Sequence, residues 1–215
     1  MRKSYQQELE QLKKDMLAMA SEVEDAIDKS VTALEEQDAD LAREVIAGDD
    51  RIDELEIELE EKCTRLIALQ QPVASDLRMI IVISKLATDL ERIADHAVNI
   101  SEKALEIGVE PFIKPLVDIP RMRELVVARL KESLDAFVRL DSQEARIIAR
   151  QDEKIDELDR IILRDLLSLM VEKPEAVDQA TSLIFISRFL ERIGDHSTNI
   201  CERIIYMDSG RRETF

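Results

Sequence analysis

The chain has little of what sheets and loops are built from: its 215 residues include only 4 glycines, 5 prolines, no tryptophan and 3% aromatics. Strands and their turns draw on aromatic, β-branched and glycine positions, so an all-β fold is excluded. Cysteine is scarce too. Cys63 and Cys201 stand at unrelated positions with no second ligand at metal spacing, which implies no disulfide framework and predicts a reducing compartment. The longest apolar run, Met79 to Ile83, is far short of the ~20 residues of a membrane span. The start of the chain runs into a charged helical pattern with no apolar leader, and a cytoplasmic protein without membrane insertion is expected. Basic residues are in the minority, 30 Lys and Arg against 47 Asp and Glu, for a net charge of −17. Such a chain repels phosphate backbones and has no basic stripe to neutralise them, so direct nucleic-acid binding is not expected.

What is abundant fits helices. A hydrophobic share of 45% beside 36% charged residues suits long amphipathic segments and is too apolar for a disordered chain. Leu12, Met16, Met19, Val23, Ile27 and Val31 keep helical spacing, as do Leu41, Val45, Ile52, Leu55, Leu59 and Leu66, and then Leu86, Leu90, Ile93, Ala97 and Ile100. Each set forms one stripe of a helix. Asp38 or Asp40 is positioned to cap the second of these helices.

The two halves of the chain resemble each other. Leu90-Glu91-Arg92-Ile93-Ala94-Asp95-His96-Ala97-Val98-Asn99-Ile100 recurs as Leu190-Glu191-Arg192-Ile193-Gly194-Asp195-His196-Ser197-Thr198-Asn199-Ile200, with eight of eleven positions identical at an offset of 100. Asp49-Asp50-Arg51-Ile52-Asp53-Glu54-Leu55 matches Asp152-Glu153-Lys154-Ile155-Asp156-Glu157-Leu158 at an offset of 103. The stretch from Gly108 to Pro120 holds three of the five prolines and separates the halves, while Pro72 and Pro174 fall at equivalent helix boundaries. The expected fold is all-α: two tandem three-helix bundles related by internal duplication, the first over residues 1–107, a linker over 108–119 and the second bundle over 120–215. Three long antiparallel helices are expected in each half.

Within the repeats the acids form i, i+4 pairs: Asp49 with Asp53, Glu91 with Asp95, Asp152 with Asp156, and Glu191 with Asp195. Residues four apart share a helical face, so each pair is mildly self-repelling, by ~0.2–0.5 kcal/mol. Antiparallel neighbours would bring two pairs together in each half, on the bundle surface. Four carboxylates without a counter-charge must hold protons or splay into water, and a divalent or trivalent cation removes the conflict. Hard oxygen donors suit iron, manganese, magnesium or calcium, with zinc less favoured. One such pair alone is an ordinary solvated face. Four, equivalently placed, point to a cation.

His96 and His196 directly follow the motif aspartates, so each ring turns about 100° away from its neighbour's carboxylate and suits a contact across the bundle or with a partner better than ligation. Arg92 and Arg192 are expected to neutralise acids on adjacent helices, and Asn99 and Asn199 to bond a neighbouring backbone or a water. Enzyme signatures are mostly missing. A ferritin-type di-iron centre needs Glu-x-x-His, whereas Glu91 to His96 and Glu191 to His196 are i, i+5. There is no phosphate loop and no nucleophile elbow.

The duplicated Leu-Glu-Arg-Ile-x-Asp-His segments at Leu90–His96 and Leu190–His196, with their upstream DxxxD motifs, resemble the PhoU family of phosphate-transport regulators over nearly the whole chain. The resemblance implies two three-helix bundles with pseudo-two-fold symmetry, each carrying a multinuclear iron or zinc cluster on its acidic motifs. Carried over, the metal residues are Asp49, Asp53, Glu91 and Asp95 in one half and Asp152, Asp156, Glu191 and Asp195 in the other. Ala94 departs from the glycine usual at its place, where Gly194 conforms, and is expected to narrow the first site or alter its metal. The resemblance further implies a non-catalytic negative regulator of the phosphate-starvation response and of phosphate uptake. Its partners would be the ATPase subunit of a phosphate ABC transporter and a sensor histidine kinase, and the chain itself a possible homodimer. The alternative of a different class is a carboxylate-bridged metalloenzyme or metal-storage bundle, and the plainest is a helical protein with no site.

Overall fold

A computed structural model describes residues 2–151 and 153–215, with side chains from residue 5 onward. The first half is three helices, α1 (Arg2–Glu36), α2 (Ala39–Gln70) and α3 (Ala74–Ile107). The second half is α4 (Asp118–Arg139), α5 (Ser142–Ala149), α6 (Glu153–Glu172), a 3-10 turn (Pro174–Ala176) and α7 (Val177–Ser209). Most of the stripe positions read from the sequence form the core: Met16, Met19, Val23, Ile27, Leu86, Leu90, Ile93, Ala97 and Ile100 are all fully buried, while Leu41 and Leu55 are half-buried. Cys63 and Cys201 are thiols within it.

Equivalent devices begin the second helix of each half. Asp38 Oδ1 accepts from Asp40 N at 2.9 Å and Leu41 N at 3.0 Å, and Asp141 Oδ1 accepts from Gln143 N at 3.1 Å and Glu144 N at 3.0 Å. Of the two candidates for the first cap, Asp38 is the one used. Replacing it by alanine is expected to cost about 1 kcal/mol in a urea titration, since two helix N–H groups lose their acceptor. The third helices both end on glycine, Gly108 with φ +63° and Gly210 with φ +69°, where a side chain would meet the left-handed backbone penalty.

The expectation of three long helices per half needs one correction. The middle helix of the second half is broken between Ala149 and Glu153 into α5 and α6. Another element contacts the chain at the break. Arg129 of α4 is buried, and its Nη2 donates to Ala149 O at 3.2 Å. A continuing helix would give that carbonyl oxygen to the N–H four residues on. Gln151 N instead bonds Ile148 O at 3.0 Å, tightening the last turn as helix ends commonly do.

Pro120 lies inside the first turn of α4 rather than in the connection, where its missing N–H is no loss. The segment between α3 and α4 is held by one glutamine from each half. Gln37 Nε2 donates to Gly108 O at 3.0 Å and Glu110 O at 2.7 Å, while Gln179 Oε1 accepts from Ile113 N at 2.7 Å.

The halves join along α3 and α7, with α1 against α4 beside them, while α2 and the α5–α6 pair lie outside. The helices α3 and α7 run antiparallel. Arg78 Nε donates to Met207 O at 3.1 Å, Asp89 reaches His196 and Arg203, and the Lys103 ammonium sits 5.5 Å from the centre of the Phe185 ring. Among the described residues, no helix is long and apolar enough to cross a membrane.

Candidate metal sites

In the first half, α2 supplies Asp49 and Asp53 and α3 supplies Glu91 and Asp95. All four are partly buried, so the patch is recessed between the helices rather than lying on the open surface that the helical angles suggest. The Glu91 side chain keeps only 14% exposure. The like charges of the two helices repel across the seam at this point. The Asp49 carboxyl is pushed up to about 6, first by burial and then by Asp53, Asp95 and Asp50. Glu91 is pushed up to about 7 by burial and Asp95, with Arg92 opposing and Glu56 and Asp53 adding to the rise.

Two oxygens of this group, Asp49 Oδ1 and Glu91 Oε2, are buried with no hydrogen-bond partner. A buried acceptor left unpaired costs roughly 1–3 kcal/mol, more when charged. Arg92 does not resolve this. Its Nε approaches Glu91 Oε2 to 3.3 Å without forming a hydrogen bond, and its Nη1 donates instead to Asp95 Oδ2 at 2.9 Å, on the solvent side. Both acids lie on the helix of Arg92 itself, contrary to the expectation that Arg92 serves an adjacent helix. Asn99 likewise turns to its own helix, Nδ2 donating to Asp95 O at 2.6 Å.

The donors suit a hard cation in kind, and the two orphaned oxygens are what such an ion would satisfy. The side chains are not gathered into a cage: no group of three or more His, Cys, Asp or Glu among the described residues is close enough to hold an ion.

The second half differs. Asp152 lies outside the described residues, Asp156 and Glu191 are partly buried, and Asp195 is exposed. Glu191 is also raised, by burial and then by Asp195, but Arg188 pulls it back. Two residues that the repeat analysis passed over are central here. Asp159 is buried and accepts from Ser187 Oγ at 2.8 Å and from Arg188 Nη1 at 2.9 Å. The same Arg188 nitrogen reaches Glu191 Oε1 at 3.1 Å. Asp159 and its first-half counterpart Glu56 follow the motif aspartates by three residues, a same-face spacing that extends the DxxxD signal.

The histidines face the other way, into the joint between the halves. The His96 ring lies 5.9 Å from Phe189 and 5.8 Å from His196, and burial, then His196, push its pKa down to about 4. His196 Nδ1 stands 3.4 Å from Asp89 Oδ1, the contact across the bundle that the 100° step favours. Ala94 and Gly194 are both buried in their helices.

A duplicated all-helical scaffold, with an acidic seam recessed between α2 and α3 of its first half, defines a helical protein of tandem repeats. The family model of the PhoU domain matches residues 16–104 and again 119–204. The chain belongs to the PhoU family. It is 43% identical over 203 residues to the phosphate-specific transport system accessory protein PhoU homolog of Aquifex aeolicus (strain VF5), covering 94% of this chain and 92% of that one. It is 39% identical over 204 residues to the phosphate-specific transport system accessory protein PhoU of Escherichia coli (strain K12), covering 95% and 85%. The crystal structure of PhoU from Pseudomonas aeruginosa superposes with a TM-score of 0.92 at 38% identity, covering 96% of this chain and all of that one. That of the phosphate transport system regulatory protein PhoU from Streptococcus pneumoniae gives 0.92 at 30%, covering 98% of this chain. The family is one of accessory and regulatory proteins, not of enzymes.

Proposed function

We propose that this chain is a cytoplasmic negative regulator of phosphate uptake and of the phosphate-starvation response, acting as an adaptor between the ATPase subunit of a phosphate ABC transporter and a sensor histidine kinase. The observation that carries the reading is the duplicated acidic motif on this fold, matched over nearly the full length by accessory proteins of phosphate-specific transport. The acids of α2 and α3 in the first half are the cation-binding residues of the reading, with Asp49 and Glu91 contributing the buried oxygens. A bound cation would supply positive charge there and tie α2 to α3. The protein's own part is to hold the carboxylates recessed, so that an ion is favoured over protons or water.

The test is genetic. In phosphate-rich medium, deleting the gene is expected to raise phosphate-starvation gene expression and phosphate uptake, and the wild-type gene restores both to the repressed level. Unchanged uptake and expression in the deletion strain would refute the regulatory reading. A redox metalloenzyme is not favoured, because the histidines that such a centre uses are turned into the α3–α7 joint.

A further inference from the structure

The repeat makes the two halves comparable position by position, and the comparison is uneven where charge matters most. The register is secure: Ser30 and Ser133, at an offset of 103, are both buried and donate Oγ to Ile27 O and Leu130 O. At the same offset Ala26 corresponds to Arg129 and Glu56 to Asp159, and at the offset of 100 Ala87 corresponds to Ser187 and Thr88 to Arg188.

From these pairings we propose that the two acidic seams are unequal: in the second half the guanidinium of Arg188 stands in for a metal ion, so that a hard cation is taken up by the first half alone. This rests on the cation reading given above and departs from the symmetry that the duplicated motif suggests.

Arg188 bridges α6 to α7 through a single nitrogen, 2.9 Å from Asp159 and 3.1 Å from Glu191. That is the pair of helices an ion would bridge, and a charge-assisted contact already satisfies both carboxylates. Asp159 is further satisfied by the Ser187 hydroxyl at 2.8 Å. In the first half Arg92 pairs with Glu91 and Asp95 of its own helix, and among the described residues no guanidinium bridges α2 to α3 at the acids. Threonine and alanine stand at the places of Arg188 and Ser187, and the oxygens of Asp49 and Glu91 are left without hydrogen bonds. Arg129 adds to the difference. Its buried guanidinium donates at 2.7 Å to Thr198, three residues beyond Asp195 on α7, where the first half has Ala26 and Val98. An ion binding Glu191 in the second half competes with Arg188 and approaches near a second buried positive charge, whereas in the first half the nearby guanidinium, that of Arg92, bonds Asp95 on the solvent side and leaves the buried oxygens of Asp49 and Glu91 without hydrogen bonds. Because the Arg188 side chain is 51% exposed, its two contacts are screened, and losing them predicts an affinity about tenfold weaker in the second half.

Equilibrium dialysis against Mn²⁺ and, separately, Zn²⁺, followed by elemental analysis, tests this on the full chain, with circular dichroism melts confirming that each variant folds. Tightly bound metal is expected to be lost in E91Q/D95N and kept in E191Q/D195N. R188T, which gives the second half the residue of the first, is expected to bind additional metal that R188T/E191Q/D195N does not. Equal losses from either double variant, or an R188T protein with wild-type metal content, would overturn the inequality. If the wild type binds no metal at all, the cation reading of the first half fails. The role of Arg188 is then still decided by R188T, which supports it by gaining metal and refutes it by gaining none.

Discussion

Replacing Arg203 by alanine is expected to destabilise the protein by about 3 kcal/mol, the low end of the range for breaking a buried ion pair. Arg203 of α7 reaches across to Asp89 of α3, whose side chain keeps 5% exposure, its Nε donating to Asp89 Oδ2. Taking away the guanidinium leaves a carboxylate in the joint with His196, 3.4 Å away, as its remaining partner among the described residues. Because the Arg203 side chain is itself 30% exposed, water reaches part of the gap and keeps the loss from rising toward ~5 kcal/mol. The pair is not duplicated, since the counterpart of Asp89 is Phe189, which packs on His96 instead. A double variant, Asp89→Leu with Arg203→Leu, is therefore expected to recover most of the loss, because it removes the desolvated charge along with its partner. Urea titrations of the single and double variants measure both effects. A cost below about 1 kcal/mol for Arg203→Ala would mean that the pair behaves as an exposed surface bridge.

That pair marks where sequence reading stops. The helices were legible because their signals are local: stripes such as Leu86, Leu90 and Ile93, the cap offered by Asp38 or Asp40, and prolines at the boundaries each act within a few residues. The repeat added what periodicity alone does not contain, that four acidic pairs occupy equivalent places. It left out whatever depends on the register between helices. Asp89 meeting Arg203 requires α3 and α7 to run antiparallel at one particular offset, and nothing near either residue encodes it. The bond beside the break between α5 and α6 is of the same kind, because the Arg129 side chain that reaches the Ala149 carbonyl comes from twenty residues away. Within the site, the DxxxD spacing located the carboxylates, and the 100° argument correctly turned the histidines away. Glu56 and Asp159 lay one step beyond the motif and were readable at i+3. Arg188 was not, because its importance comes from what its counterpart Thr88 fails to do.

The second large effect is on stability against pH, and its sign separates the acids from the histidines. Asp49 is raised from 3.8 to about 6 and Glu91 from 4.5 to about 7. Between the unfolded and folded values the native state holds protons that the unfolded chain has released, so these groups make stability fall as pH rises from about 4 to about 7. His96 works in the opposite direction. Lowered from 6.5 to about 4, it is neutral in the fold where the unfolded chain is charged, and its contribution grows as pH rises over much of the same window. Two carboxyls against one imidazole leave the acids ahead, and in chelator the wild type is expected to be less stable at pH 8 than at pH 5. Asp49→Asn with Glu91→Gln removes the acid contribution, exposes the histidine one and reverses the slope. At pH 8 the same change should stabilise the metal-free protein by ~1–3 kcal/mol after discounting for solvent screening. Excess Mn²⁺ should do for the wild type what the substitutions do, because an ion bound only by the folded state adds stability in proportion to the logarithm of its concentration. Melts at the two pH values, with chelator and with Mn²⁺, decide the matter. A wild type whose metal-free stability climbs steadily from pH 5 to pH 8 would mean that Asp49 and Glu91 are ordinary solvated carboxylates, with no charge conflict for a cation to relieve.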